Sequence, residues 1–161
     1  MNGARGILVI GLGNADCGDD GLGPLVANML AKRQGAFRLL TRRGDMLGLI
    51  EDWEGSGALI LIDAAAALSQ PGRVHRIDLA SGMLPRELAL SSTHAFGLAD
   101  ALALAKSLDR LPPRVIVYAA EATQFAPGSA MSDEVAAAAA KIVEQIIEDV
   151  KSLSTETNAH A

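Results

Sequence analysis

Residues 58–63, Ala58-Leu59-Ile60-Leu61-Ile62-Asp63, decide the fold. Five consecutive apolar residues leave no face of the segment for water. A strand of that kind has to be covered on both sides, as in a parallel sheet held between helices. The run then passes directly into a carboxylate.

Working outward, Ile7-Leu8-Val9-Ile10 is a second continuous apolar run, closed by Gly11. Phe37 to Thr41 and Val115 to Tyr118 read as further strands. Val74 to Leu79 alternates apolar and polar residues behind the turn Pro71-Gly72, the pattern of a strand nearer an edge. Helical spacing appears between these runs. Leu22, Leu25, Val26, Met29 and Leu30 share a face, with Pro24 in the first turn and Asp19 or Asp20 expected as the cap. Asp45 to Trp53 reads as a short helix. Ser91-Ser92-Thr93 is expected to open another, with Leu98, Ala101, Leu102, Ala105 and Leu108 on one face and Pro112-Pro113 ending it. Ser132 is expected to cap a last helix striped by Val135, Ala139, Ile142, Ile146 and Val150.

Strands alternating with helices predict an α/β fold. It is a single-domain three-layer sandwich, with a mostly parallel, twisted sheet of about five strands and helices on both faces. Residues 1–153 form the domain, and residues 154–161, polar in composition, are expected to be a flexible tail. With 161 residues, half of them apolar and only 3% aromatic, the core is built of Leu, Ile, Val and Ala.

The net charge of -5 and the lack of a long basic run argue against a nucleic-acid partner, which clustered Lys and Arg would have to recognise. Cys17 is the single cysteine, so no internal disulfide can form, in keeping with a reducing compartment. The run at Ile7–Ile10 is too short for a signal segment, and no stretch approaches the ~20 apolar residues that span a bilayer. A cytoplasmic protein without membrane contact is expected, as a monomer.

The loop after the first strand reads Gly11-Leu12-Gly13-Asn14-Ala15-Asp16-Cys17-Gly18-Asp19-Asp20-Gly21-Leu22-Gly23. It is not a dinucleotide loop, because Asp16 stands where the third glycine belongs. Nor is it a P-loop, since Asp19 rather than Lys follows Gly18. Three carboxylates would repel a pyrophosphate on the helix end. No nucleotide is expected. The carboxylates suit a cation instead.

In open α/β folds ligands bind beyond the carboxyl ends of the strands. Asp20 follows the first strand and Asp63 closes the central one. Asp63 taken alone could simply cap the next helix or accept backbone N–H bonds. His94, at a predicted helix start, sits where the helix dipole disfavours imidazolium and so keeps the neutral ring that a metal requires. A lone histidine in that position could equally be a helix cap. Two carboxylates and an imidazole would make a site for a divalent ion such as zinc or nickel, with positions left open for water or substrate.

The chain resembles the maturation endopeptidases of nickel-iron hydrogenases, from Ile7 to about Val150. The resemblance is carried by Gly11-x-Gly13-Asn14 with Asp19-Asp20-Gly21-x-Gly23, and by the apolar strand ending in Asp63. It continues in His94 with Gly97-Leu98-Ala99-Asp100-Ala101-Leu102, and in Gly128 with Met131-Ser132-Asp133-Glu134-Val135. It implies that Asp20, Asp63 and His94 bind a divalent metal, nickel carried by the substrate. The partner it implies is a hydrogenase large-subunit precursor, from which a short C-terminal extension is cut once nickel is installed. The same residues would also serve a non-catalytic metal- or precursor-binding maturation factor. The chain departs from the family pattern at Thr41-Arg42-Arg43-Gly44-Asp45, a loop expected to read the substrate through Arg42, Arg43 and Asp45. It departs again at Ala119-Ala120-Glu121-Ala122, where Glu121 matches but the following proline is missing.

No Gly-x-Ser-x-Gly elbow and no His-Glu-x-x-His helix is present. Cys17 lies among carboxylates, which suppress a thiolate. Two modes remain: the ion acts on the scissile carbonyl or on water, or it serves as a checkpoint that docks the precursor on Asp20, Asp63 and His94. The second is favoured, with Asp19 or Asp16 as base or structural cap. His75 and His160 receive no functional role, and Trp53 is assigned to packing or an interface.

Overall fold

A computed structural model of the protein describes residues 6–66, 69–82 and 97–159. Strands β1 (Ile7–Leu12), β2 (Phe37–Arg42), β3 (Ala58–Ala66), β4 (Val74–Asp78) and β5 (Arg114–Ala122) form one sheet in the order β2-β1-β3-β5-β4. Every neighbouring pair is parallel except β4 with β5. The helices are α1 (Leu22–Ala31), α2 (Gly48–Trp53), α3 (Leu98–Ser107) and α4 (Asp133–Ala159), with a short 3-10 turn at Gly18–Gly21.

The continuous apolar runs have the expected consequence. Alternate residues of one strand enter different cores. Val9, Ile60, Ile62, Ile116 and Tyr118 pack with α1 and α4, while Leu8, Ile10, Leu59, Leu61, Val115 and Val117 pack with α2 and α3. Burial of each such side chain contributes roughly 1.5–3 kcal/mol. Trp53 is fully buried, and its indole N–H donates to the Arg110 carbonyl at 3.1 Å, so its role is packing.

Several boundaries differ from the sequence expectation. β3 does not stop at Asp63 but runs to Ala66, because β5 extends beside it and pairs Asp63 with Ala119 through to Ala66 with Ala122. α2 starts at Gly48, whose N–H donates to the Asp45 carboxylate at 3.0 Å. Neither Asp19 nor Asp20 caps α1, which begins after Gly21 without a side-chain cap. Ser132 does precede α4 and its carbonyl accepts the Ala136 N–H, but its hydroxyl is turned to Asp19. The expected tail from residue 154 is instead helical to Ala159. Leu153 is buried, and Glu156 pairs with Arg114 of β5, which carries the helix onward.

α3 begins at Leu98 after Gly97, whose N–H donates to the Asp100 carboxylate at 3.2 Å. The helix start expected at Ser91-Ser92-Thr93 lies outside the described residues. None of the described helices is long and apolar enough to cross a membrane.

Candidate functional site

The chain leaves β1 through α1 on one face of the sheet and leaves β2 through α2 on the other. Consequently β2 and β3 lie on opposite sides of β1. Connections that diverge in this way open a crevice at the carboxyl ends of β1 and β3, where open α/β sheets bind their ligands. Asp20 comes from the connection after β1, and Asp63 from β3 itself.

The glycine-rich signature brings α1 and the 3-10 turn close against β1. A Cβ on Gly11 would stand 2.2 Å from the Gly23 carbonyl oxygen, so α1 rests backbone-to-backbone on β1. Gly13 has φ 131°, and a Cβ there would meet the Asp20 carbonyl oxygen at 2.0 Å. The 3-10 turn therefore folds directly over the end of β1. Asn14 donates its N–H to Asp20 Oδ2 at 2.8 Å. Asp20 Oδ1 is buried and has no hydrogen-bond partner among the described residues.

Asp63 is buried in β3, and its Oδ1 accepts the Ala64 N–H at 2.9 Å. Loss of hydration, then the nearby negative charge of Asp20, hold its carboxyl well above the usual aspartate range against the opposing Ala64 bond. The two carboxylates expected to share an ion thus lie close enough to feel each other's charge. An orphaned buried oxygen beside a second carboxylate suits a cation, which would supply the missing partner and neutralise the repulsion.

His94 lies outside the described residues. Among those described, no group of three His, Cys, Asp or Glu is placed to hold a metal. α3, which starts at Leu98, four positions after His94 in the sequence, packs on the face of β3 that carries Leu59 and Leu61, the face to which Asp63 also belongs by alternation.

The supporting residues separate by role. Asp19 is fully buried. It accepts N–H bonds from Thr123 (3.1 Å), Gln124 (3.0 Å) and Ser132 (2.7 Å), and the Ser132 hydroxyl at 2.9 Å. Burial pushes its carboxyl up, but these donors outweigh burial and leave it below the ordinary value. Of its two expected roles the geometry fits the structural one, a tie between the first loop and the β5–α4 connection. Asp16 is exposed; its N–H donates to Asn14 Oδ1, and its carbonyl accepts from Gly128.

Glu121 is fully buried in β5. It accepts the Ser69 N–H at 2.8 Å and the Gln70 N–H at 3.1 Å, and faces His75 Nε2 at 2.8 Å. It anchors the turn after β3. His75, given no role from sequence, is its partner. The pairing could have been suspected only by placing β4 next to β5.

The expected substrate-reading loop is largely occupied. Arg42 makes a two-pronged pair with Asp52, at 2.8 and 3.0 Å, and Asp45 holds the start of α2. Arg43 is exposed.

The family model for hydrogenase maturation protease matches residues 41–149. The fold is similar to the hydrogenase maturating endopeptidase HybD from E. coli, with TM-score 0.75 and 21% identity over 91% of this chain and 92% of that one. It is also similar to the NiFe hydrogenase maturation protease HybD from Thermococcus kodakarensis (TM-score 0.71, 26% identity, 89% and 98% covered). A third similar structure is a hydrogenase 2 maturation peptidase from a Thaumarchaeota archaeon (TM-score 0.66, 27% identity, 90% and 97% covered). No curated protein sequence matches the chain. The likeness at 21% identity speaks for the fold alone, whereas the family model spans more than half the chain and includes Asp63, His94 and Glu121. With residues 41–149 matching that model and Asp20 and Asp63 both placed at the carboxyl edge of this fold, the chain belongs to the hydrogenase maturation protease family.

Proposed function

We propose that the chain is an endopeptidase that removes a short C-terminal extension from the nickel-loaded precursor of a hydrogenase large subunit. The observation that carries this reading is the buried Asp20 Oδ1, without a partner among the described residues, beside the buried Asp63 carboxylate. A partnerless carboxylate oxygen beside a second buried carboxylate favours a divalent ion over solvent. Asp20, Asp63 and His94 would hold that ion, which the precursor brings with it as part of the substrate. When bound, it would cancel the repulsion between the carboxylates and fix the precursor on the protease.

The chain's own contribution is positioning. Gly11 and Gly23 bring α1 against β1. Gly13 lets the 3-10 turn close over the strand, and Asp19 holds that turn to the β5–α4 connection. A scissile bond docked on so rigid a frame gains from proximity and orientation. The metal then acts as a checkpoint: a precursor without it lacks the group that the carboxylates recognise.

The test is incubation of the purified protein with nickel-loaded and nickel-free precursor, followed by intact-mass measurement. Loss of the extension from the loaded form alone is expected. Equal cleavage of both would overturn the checkpoint, and an unchanged mass in both would overturn the protease reading in favour of a binding factor.

A further inference from the structure

Residues 21–44 contain Lys32, Arg33, Arg38, Arg42 and Arg43, five of the chain's 14 Lys and Arg, and no Asp or Glu. In a chain of net charge -5 this gathers positive charge around one element, β2, which is an edge strand of the sheet. Arg33 is paired with Glu144 and Arg42 with Asp52. Lys32, Arg38 and Arg43 are exposed and have no acidic partner among the described residues.

Among the described residues, the backbone of β2 has an open side as well. The Arg42 carbonyl turns inward and accepts the Gly13 N–H at 3.0 Å. Main-chain groups alternate along a strand in a parallel pair, so Leu39 and Thr41 direct theirs outward. The Thr41 carbonyl accepts the Arg42 guanidinium at 3.0 Å, in keeping with that direction. Among the described residues no strand pairs with the outer edge, on which the Leu39 N–H and carbonyl and the Thr41 N–H lie. Beyond the strand, Leu47 is 55% exposed, one of two large apolar side chains so displayed among the described residues. The bond from Gly13 to Arg42 joins this end of β2 to the loop that carries Asp20.

We propose that the outer edge of β2, flanked by Arg38 and Arg43 and continued by Leu47, docks an extended acidic segment of the precursor as an added strand. This rests on the reading of the chain as a precursor-processing protease. Main-chain bonds to an edge strand bind without regard to side chains, so the arginines supply the selection, for carboxylates. Six residues of β2 offer about 20 Å of edge, enough for a segment of similar length. The added strand would be separated from β1 by β2 alone and lead toward the crevice between β1 and β3.

The surface can be tested apart from cleavage. A fluorescein-labelled decamer of alternating Glu and Val, with a Lys–Val decamer as control, is titrated by anisotropy into the intact protein and into the Arg38→Glu/Arg43→Glu variant. Thermal melting checks that the variant folds. The acidic decamer should bind and the basic one should not, the variant should lose at least tenfold in affinity, and wild-type binding should weaken several-fold between 50 and 200 mM salt. Equal binding of both decamers, or unchanged affinity in the variant, overturns the proposal. A variant that self-associates yet binds the decamer as before overturns it too, and marks the arginines as guards against edge-to-edge pairing.

With the nickel-loaded precursor, KM for cleavage should rise about tenfold in the variant. Cleavage with unchanged KM overturns the docking surface and leaves the protease standing. A precursor that wild-type protein leaves uncut overturns the protease reading, while decamer binding then decides the surface.

Discussion

A carboxylate placed in the middle of a fully buried strand works against folding unless something binds it. The Asp63 carboxyl has a raised pKa, from burial first and the Asp20 charge second. Its ionised form therefore costs stability at any pH above the ordinary aspartate value. The sign follows directly: stability is recovered as pH falls through the raised folded value toward 3.8. Asp63→Asn removes the charge without changing size. The metal-free variant should melt higher than the parent at neutral pH and lose that part of the pH slope, as measured by thermal melts across a pH series. Cleavage of the precursor should nonetheless fall at least about 100-fold, a loss typical when a preorganised electrostatic contact is removed. Asp20→Asn should lose activity to a similar degree. Higher stability with lower activity is the pattern of a site kept for its ligand.

Two contacts between elements hold the site in shape. Asp19 differs from Asp63 in sign: its N–H and hydroxyl donors outweigh burial, so its stabilising effect is present above 3.8 and lost as pH falls through its lowered folded value. Asp19→Asn should lower stability by about 3 kcal/mol, given that bonds to a charged acceptor are worth roughly 1.5–3 kcal/mol each and are not additive. A shift of the urea midpoint measures it. The second contact is that of α1 with β1. A Cβ on Gly23 would lie 2.3 Å from the Leu12 carbonyl oxygen and 2.4 Å from its nitrogen, both backbone atoms that cannot swing away. Gly23→Ala should cost about 3 kcal/mol through overpacking and also displace the turn that carries Asp20. The same denaturation, with a parallel cleavage assay, reads both effects.

Across the whole molecule, α4 is the element that closes one core. Val135, Ala139, Ile142, Ile146, Val150 and Leu153 are buried against the sheet and α1. Asp149 takes the hydroxyl of the buried Tyr118 and pairs with Arg76 of β4 at 2.6 Å, so the helix also fastens an edge strand. A chain cut after Leu153 loses the exposed Arg114–Glu156 pair and should give up less than about 1 kcal/mol. A chain cut after Glu148 loses Val150, Leu153 and Asp149. It should be destabilised by roughly 5 kcal/mol, comparable to the total stability of a small domain. Circular dichroism melts of the two truncations separate these outcomes.

The sheet and its layers were legible in the order of residues because burial on both faces leaves continuous apolar runs, as at Ala58–Ile62 and Ile7–Ile10. Asp63 stood out for the same reason, as a charge attached to such a run. The Ala64-Ala65-Ala66 extension of β3 did not, since alanine carries little strand preference and needs the neighbouring β5 to recruit it. Asp19's role depends on donors more than a hundred residues away, at Thr123, Gln124 and Ser132. The ties of Arg42 to Asp52 and of His75 to Glu121 likewise join elements whose adjacency no local pattern reveals. Hydrophobic periodicity is a property of neighbours along the chain, whereas the pairing and protonation of a charged group are set by what the fold brings against it.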